Sequence, residues 1–269
     1  MNVNLEKRKG ASRTADIPND VLDGLNAGTL ESVNLTEWLA VNALELLEAV
    51  LPQMRVKDTG IILETAREVA GRGVMQRTEQ IAIALDKASV KLEPMTAHRS
   101  DTVRCWAAFV AVRRATELRA KLSAIRPFAV DSHFGVREIA WMAWRPALAA
   151  ELAAGIALLE PWTRDHDTNA RRFASESSRP RGVWCAHIQA LKDDPEPGSI
   201  ILEPLRSDPS RYVQTSVANW LNDASKTRPD WVETICARWL RESSTSETGW
   251  IVNHALRSLK KSSLKKGKP

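Results

Sequence analysis

Cysteine is scarce and scattered. Cys105, Cys185 and Cys236 are the only three in 269 residues, with no Cys-x-x-Cys pair and no metal-ligand spacing. An odd, sparse set of thiols argues against a disulfide-stapled scaffold and points to buried thiols in a reducing compartment. Long apolar runs are lacking too: none spans a bilayer, and the N-terminus, MNVNLEKRKG, is polar and charged, unlike a signal peptide. These absences predict a soluble, cytoplasmic chain with no membrane partner. There is no convincing alternating strand bounded by a hairpin turn, and the motif inventory is equally bare. A Walker loop, Gly-x-Gly-x-x-Gly, His-Glu-x-x-His and Gly-x-Ser-x-Gly are all missing. ATP hydrolysis and hydride transfer are thereby poor hypotheses, and nothing calls for a cofactor or a metal.

Among the aromatics there is one Tyr and there are four Phe, against ten Trp. Tryptophan is large and amphipathic, and suits packing surfaces and ligand-facing platforms. The formal net charge of +5 needs apportioning. Residues 260–269 hold five lysines and no acid, so the rest of the chain is near neutral. A polyanion-binding signal must therefore come from where charges cluster.

The periodicity is helical throughout. Apolar residues recur at helical spacing from Leu35 to Leu51, from Thr59 to Ala70, from Met75 to Leu92 and from Asp101 to Ala120. Gly71 and Gly73 break one run. Pro94 and residues 98–101 are read as a loop, with Ser100 or Asp101 as N-cap. Five segments, TVRCWAAFVAV, GVREIAWMAWRP, NARRFASESSRP, YVQTSVANWL and WIVNHALRSL, share a pattern anchored on Val103, Val136, Ala170, Val213 and Val252. Their spacings are 33, 34, 43 and 39 residues. Irregular repeats of this length, two helices each, predict an all-α, right-handed α-solenoid of HEAT-like repeats, whose inner helices line a concave face. An irregular helical bundle is the competing architecture. The expected organisation is a flexible basic lead-in (1–17), one repeat domain (18–259) and a lysine-rich tail (260–269), in a monomeric protein.

The densest chemistry lies in RRFASESSRPRGVW, residues 171–184. Arg171, Arg172, Arg179 and Arg181 surround one carboxylate, Glu176, and Trp184 closes the stretch. On a helix, Ala170, Phe173, Ala174 and Ser177 share the buried face, with Glu176 and Arg172 pointing away. Pro180 pushes Arg179 out of helical geometry, so Arg179 and Arg181 are expected to reach outward from a turn. The bland alternative is a surface Arg172–Glu176 pair beside a basic turn.

In the helix at 134–145, Val136, Ile139, Ala140 and Ala143 form the core stripe. Arg137, Glu138, Trp141, Trp144 and Arg145 lie opposite, and Glu138, Trp141 and Arg145 share a face. The two tryptophans either face a ligand or pack on a neighbouring repeat. In the helix at 211–224, Val213, Ser216, Val217, Trp220, Leu221 and Ala224 are buried. Thr215, Asn219, Asn222 and Lys226 form a stripe of small donors suited to phosphate oxygens. Asp223 falls at the boundary, half sheltered, where a carboxylate is held rigid as an electrostatic catalyst requires; a helix-end pair with Lys226 is the alternative. Asn253, His254 and Arg257 add a polar ridge. His133 is read as a helix cap or phosphate contact, and His166 as plain loop.

HFGVREIAWMAWRP, RRFASESSRPRGVW and DPSRYVQTSVANWLNDASKTRPDWV together resemble the AlkC-like class of HEAT-like-repeat DNA glycosylases, through about residues 100–260 and most strongly from 133 to 232. The chain is similar to the shorter form, without an immunoglobulin-like domain after the repeats. The resemblance implies double-stranded DNA bound on the concave face and hydrolysis of the N-glycosidic bond of alkylated, cationic bases such as 3-methyladenine, with the base left stacked. Carboxylates aimed at the sugar would stabilise its oxocarbenium-like charge. By similarity, Glu138, Glu176 and Asp223 form the catalytic cluster, Trp184 packs on the deoxyribose, and Arg171, Arg179, Arg181 and Lys226 hold phosphates. Arg137, His133, Asn219 and Arg257 are further candidate DNA contacts. The rival function is a non-catalytic repeat scaffold gripping nucleic acid or protein, or an inactive relative that only recognises damage.

Overall fold

In a computed structural model, residues 8–266 are described, with side chains from 8 to 261. Residues 1–7 of the lead-in and 267–269 of the lysine tail fall outside those limits, as do the side chains of 262–266. All regular structure among the described residues is helical. The chain divides into two compact units, Met1–Ala143 and Trp144–Pro269.

The first unit contains α1 (Asn19–Asn26), α2 (Leu35–Ala40), α3 (Ala43–Gln53), α4 (Gly60–Glu68), α5 (Val74–Lys87), α6 (Leu92–Thr96), α7 (Asp101–Arg114) and α8 (Leu118–Ala129). Helix α9 (Phe134–Ala150) begins there and runs through the division. The core helix is α7, which packs on α5, α6 and α8 and is buried nearly all round. The lead-in is tied down from Arg8 onward, whose guanidinium holds both oxygens of buried Glu37 at 3.0 and 2.5 Å.

Three expected helices end early, two of them where side chains intercept the backbone. Leu35–Leu51 is two helices, because Asn42 caps the second by accepting from the amides of Leu44 and Glu45. Asp101–Ala120 stops at Arg114. Ala115 is extended, and Lys121 caps the end by donating to the carbonyls of Val112 and Ala115. Met75–Leu92 ends at Lys87, where Ser89 turns into the left-handed region at φ 54°. Pro94, expected in a loop, sits in the first turn of α6, where its missing N–H costs nothing.

The second unit contains α10 (Leu152–Leu159), α11 (Thr168–Ser177), α12 (Gln189–Asp193), α13 (Ser199–Leu205), α14 (Arg211–Ala224), α15 (Pro229–Glu242), α16 (Ser246–Ala255) and α17 (Arg257–Lys266). Helix α14 is its centre, packed on α11, α15 and α16. The predicted stripe of α14 is buried residue for residue, as are all five repeat anchors. No helix of the described residues is long and apolar enough to cross a membrane.

Candidate functional site

The neighbouring helices α11 and α14 set the site of the second unit. Apolar faces bring them together, and the polar residues one position off those faces are trapped at the seam. Glu176 is one of them. Expected to point outward, it is 4 % exposed, because it has partners inside. One oxygen accepts from Ser216 of α14 at 2.6 Å, the other from Arg179 at 2.6 Å, and Arg172 lies 3.6 Å away. Ser175 extends the chain by donating to the Ser216 hydroxyl at 2.8 Å. Burial pushes the Glu176 carboxyl up, but Arg172, Arg179 and the Ser216 hydroxyl together outweigh it and hold the group below the usual carboxylate range.

Arg179 turns inward, not outward as the preceding turn implied. Its Nε and Nη2 donate to Oδ2 of Asp223 at 2.9 and 2.6 Å while Nη1 holds Glu176. Asp223 is 4 % exposed, deeper than the half-sheltered position expected. Its other oxygen accepts from Lys226 at 3.0 Å. Lys226 is 48 % exposed at the side chain, so among these partners it is the one with freedom to leave. Burial pulls the Arg179 guanidinium down, and the two carboxylates outweigh it. The result is a nearly dry Glu176–Arg179–Asp223 array with a single half-exposed edge.

The loop after α11 carries the other candidates. Arg181 donates to the Asp223 carbonyl at 3.3 Å. Trp184 is 49 % exposed and sits in the left-handed region at φ 60°. For a bulky residue that conformation costs about 1–2 kcal/mol, and such strain clusters at functional positions. It is the only exposed tryptophan among the described residues.

Other candidates are placed differently. Arg171 is an internal strut: it holds Asp208 at 2.6 and 3.2 Å and the carbonyls of Asp165 and His166, so its fork is engaged within the protein. Asn222 of the supposed donor stripe is buried and donates to the Ala255 carbonyl at 2.8 Å, and Thr215 bonds back to its own helix. Asn219 accepts from Arg257 at 2.8 Å, and Arg257 also caps His254. Trp144 and Arg145, expected opposite the core, are buried. The role of Arg145 is what sequence reasoning missed, since nothing in its spacing shows that its fork serves carbonyls 32, 34 and 41 residues on.

In the first unit, Glu138 lies on α9 and accepts from the indole N–H of Trp141 at 2.8 Å. Trp141 is itself buried, not outward-facing. Arg137 donates to the carbonyls of Asp131 and Ser132 just before its helix. His133 is buried. Its Nδ1 accepts from the Gly135 amide at 3.2 Å and its Nε2 donates to the Ser32 carbonyl at 2.5 Å, so the cap is formed and no ring nitrogen is left for a phosphate. No group of metal-ligating side chains is present among the described residues.

No family model matches the sequence. Among solved structures, the alkylpurine DNA glycosylase AlkC of Pseudomonas fluorescens, bound to DNA containing an abasic-site analogue, superposes with a TM-score of 0.66 at 27% identity. The chain has the helical-repeat fold of AlkC. The match covers 80% of this chain and 62% of that one, so the chain spans under two thirds of its length. Two Streptococcus mutans proteins share the fold at lower identity: smu.31, with a TM-score of 0.56 at 21%, and AlkD2, with 0.53 at 18%. They match 73% and 78% of this chain, and 98% and 95% of their own. The uncharacterized protein YhaZ of Bacillus subtilis (strain 168) is 51% identical over 85 residues, 32% of this chain and 24% of YhaZ. The resemblance to AlkC read from three motifs thus extends to the fold.

Proposed function

We propose that the protein is a DNA glycosylase of alkylation repair, which hydrolyses the N-glycosidic bond of cationic alkylated bases such as 3-methyladenine in duplex DNA. The observation that carries this reading is the array in which one guanidinium, Arg179, at the root of the loop that presents Trp184, holds Glu176 of α11 and Asp223 of α14. The fold shared with AlkC supports it.

The chemistry asks little of the protein and asks it in one place. The C1′–N bond breaks, and its electron pair leaves with the base, which departs neutral because it was cationic. Positive charge builds on the deoxyribose, and water adds at C1′ after giving up a proton to a carboxylate. Lys226 moves from Asp223 to a DNA phosphate, which turns the freed Oδ1 of Asp223 toward the sugar. Glu176 stays ionised behind Arg179 and keeps that guanidinium from drawing off the charge of Asp223. Glu138 is kept as a candidate carboxylate on the strength of its motif alone. Trp184 lies against the deoxyribose, with the base left stacked, while Arg181, Lys226 and Arg257 hold phosphates.

A second reading has its own support. Both carboxylates are fully paired, as they would be in a scaffold that grips nucleic acid and uses acids only to set its arginine. Incubation with methylated duplex DNA separates the two. Release of free 3-methyladenine by the wild type, lost in Asp223→Asn and Glu176→Gln at unchanged DNA affinity, is the expected result. Tight, salt-sensitive binding with no released base would sink the enzyme and leave the scaffold.

A further inference from the structure

Arg145 is 2 % exposed and makes no ion pair among the described residues. A buried guanidinium without a carboxylate is costly unless its donors are met. Here each guanidinium nitrogen donates to a backbone carbonyl at the end of α11 or in the loop after it. Nη1 donates to the Ser177 carbonyl at 2.8 Å and Nη2 to that of Arg179 at 2.6 Å, both before the turn, and Nε donates to that of Ala186 at 3.0 Å, after it. The Ile188 amide closes the base of the loop on the Pro180 carbonyl at 3.1 Å. Gly182 is packed so tightly that a Cβ there would lie 2.1 Å from the Cys185 sulfur and 3.3 Å from Arg145 Nε. At the tip stand Val183, 55 % exposed, and Trp184, 49 % exposed with its left-handed backbone.

We propose that Arg145 is a positioning residue, whose fork braces the segment from Ser177 to Ile188 so that Val183 and Trp184 stand as a rigid apolar wedge against the sugar of duplex DNA. The inference rests on the glycosylase reading for its substrate. A planar fork reaches three carbonyls at fixed angles, which a lysine, as a point charge on a flexible stem, does not reproduce. The backbone of Arg179 is braced by Arg145 while its side chain holds Glu176 and Asp223. One guanidinium therefore sets both the height of the wedge and the root of the carboxylate array. A large, rigid apolar ring suits packing against a sugar, and Arg181 and Lys226 supply the complementary charge.

The test is a double-mutant cycle of Arg145→Lys and Trp184→Ala, read in single-turnover release of 3-methyladenine and in affinity for a duplex carrying an abasic-site analogue. Arg145→Lys is expected to slow release about 10- to 100-fold, with unfolding still cooperative. Added to Trp184→Ala, it is expected to cost less than it does alone, because the part of its effect that passes through Trp184 is already gone. Losses that multiply, or unchanged release by a folded Arg145→Lys, overturn the proposal. If Arg145→Lys does not fold, Gly182→Ala crowds the same loop against Cys185 and Arg145 and enters the same cycle. Should the wild type release no base, the glycosylase reading fails on its own. The cycle is then decided by duplex affinity, where coupling upholds the brace and independence refutes it.

Discussion

The carboxylates of Glu176 and Asp223, on adjacent helices, are held by the same guanidinium, with Arg179 lying 2.6 Å from each. Both acids are 4 % exposed, so the arginine is what lets two negative charges share one seam. Removing it leaves two buried charges short of a partner. Arg179→Met is expected to destabilise the protein by about 3–5 kcal/mol, more than either Glu176→Gln or Asp223→Asn. Urea unfolding measures this directly, and a loss no larger than that of the single acid variants would refute the shared anchor.

The pH dependence of stability follows from the same pairing. Glu176 is held below its ordinary value of 4.5, the effect of burial being outweighed by Arg172, Arg179 and Ser216. Its folded value lies below its unfolded one, so its contribution is fully present above the unfolded value and is lost as pH falls through the folded value. The stability gap between wild type and Glu176→Gln is therefore expected to hold at neutral pH and to close in acid, below about pH 4.5. Urea midpoints taken for both proteins down the acid limb test this. A gap that stays constant with pH would mean that the ionised carboxylate contributes nothing.

How much of this was legible in the sequence depended on the kind of side chain. Stripes of Val, Ile and Ala located the buried faces correctly, because apolar burial is non-directional and follows helical period alone. The stripe of α14 and the five repeat anchors are examples. The direction of the charges was not legible. Glu176 falls off the Phe173–Ala174 face by period, yet turns inward because Ser216, 40 residues on, and Arg179 await it. Arg171 looked like a phosphate contact until Asp208, 37 residues away, claimed it. Helix ends failed for a related reason: the caps at Asn42 and Lys121 come from single polar side chains that periodicity does not weigh.

Trp184 combines exposure with a left-handed backbone, so stability and function are expected to part there. Asparagine tolerates that conformation. Trp184→Asn is expected to leave stability unchanged or raise it by about 0.5–1 kcal/mol, while weakening affinity for the abasic-analogue duplex. Thermal unfolding and a binding titration on the same preparation suffice. A marked loss of stability would show that the indole is there for packing.

The two candidate phosphate contacts Arg171 and Lys226 are separated by what they already hold. Arg171 gives its fork to Asp208 and to two loop carbonyls, and Asp208 is 5 % exposed, so a variant at 171 strands a buried acid. Lys226 holds Asp223 with a half-exposed side chain and is able to exchange that partner for a phosphate. A side chain that neutralises a phosphate releases counterions, so losing it lowers the slope of log affinity against log salt by about one unit. Lys226→Ala is expected to show that change with nearly unaltered stability. Arg171→Ala is expected to lose about 3–5 kcal/mol of stability and to keep the wild-type slope. Duplex titrations across a salt series, beside urea unfolding, distinguish the two. A lowered slope for Arg171→Ala would return that residue to the DNA interface, and an unchanged slope for Lys226→Ala would leave Asp223 with a permanent partner and no free oxygen for the sugar.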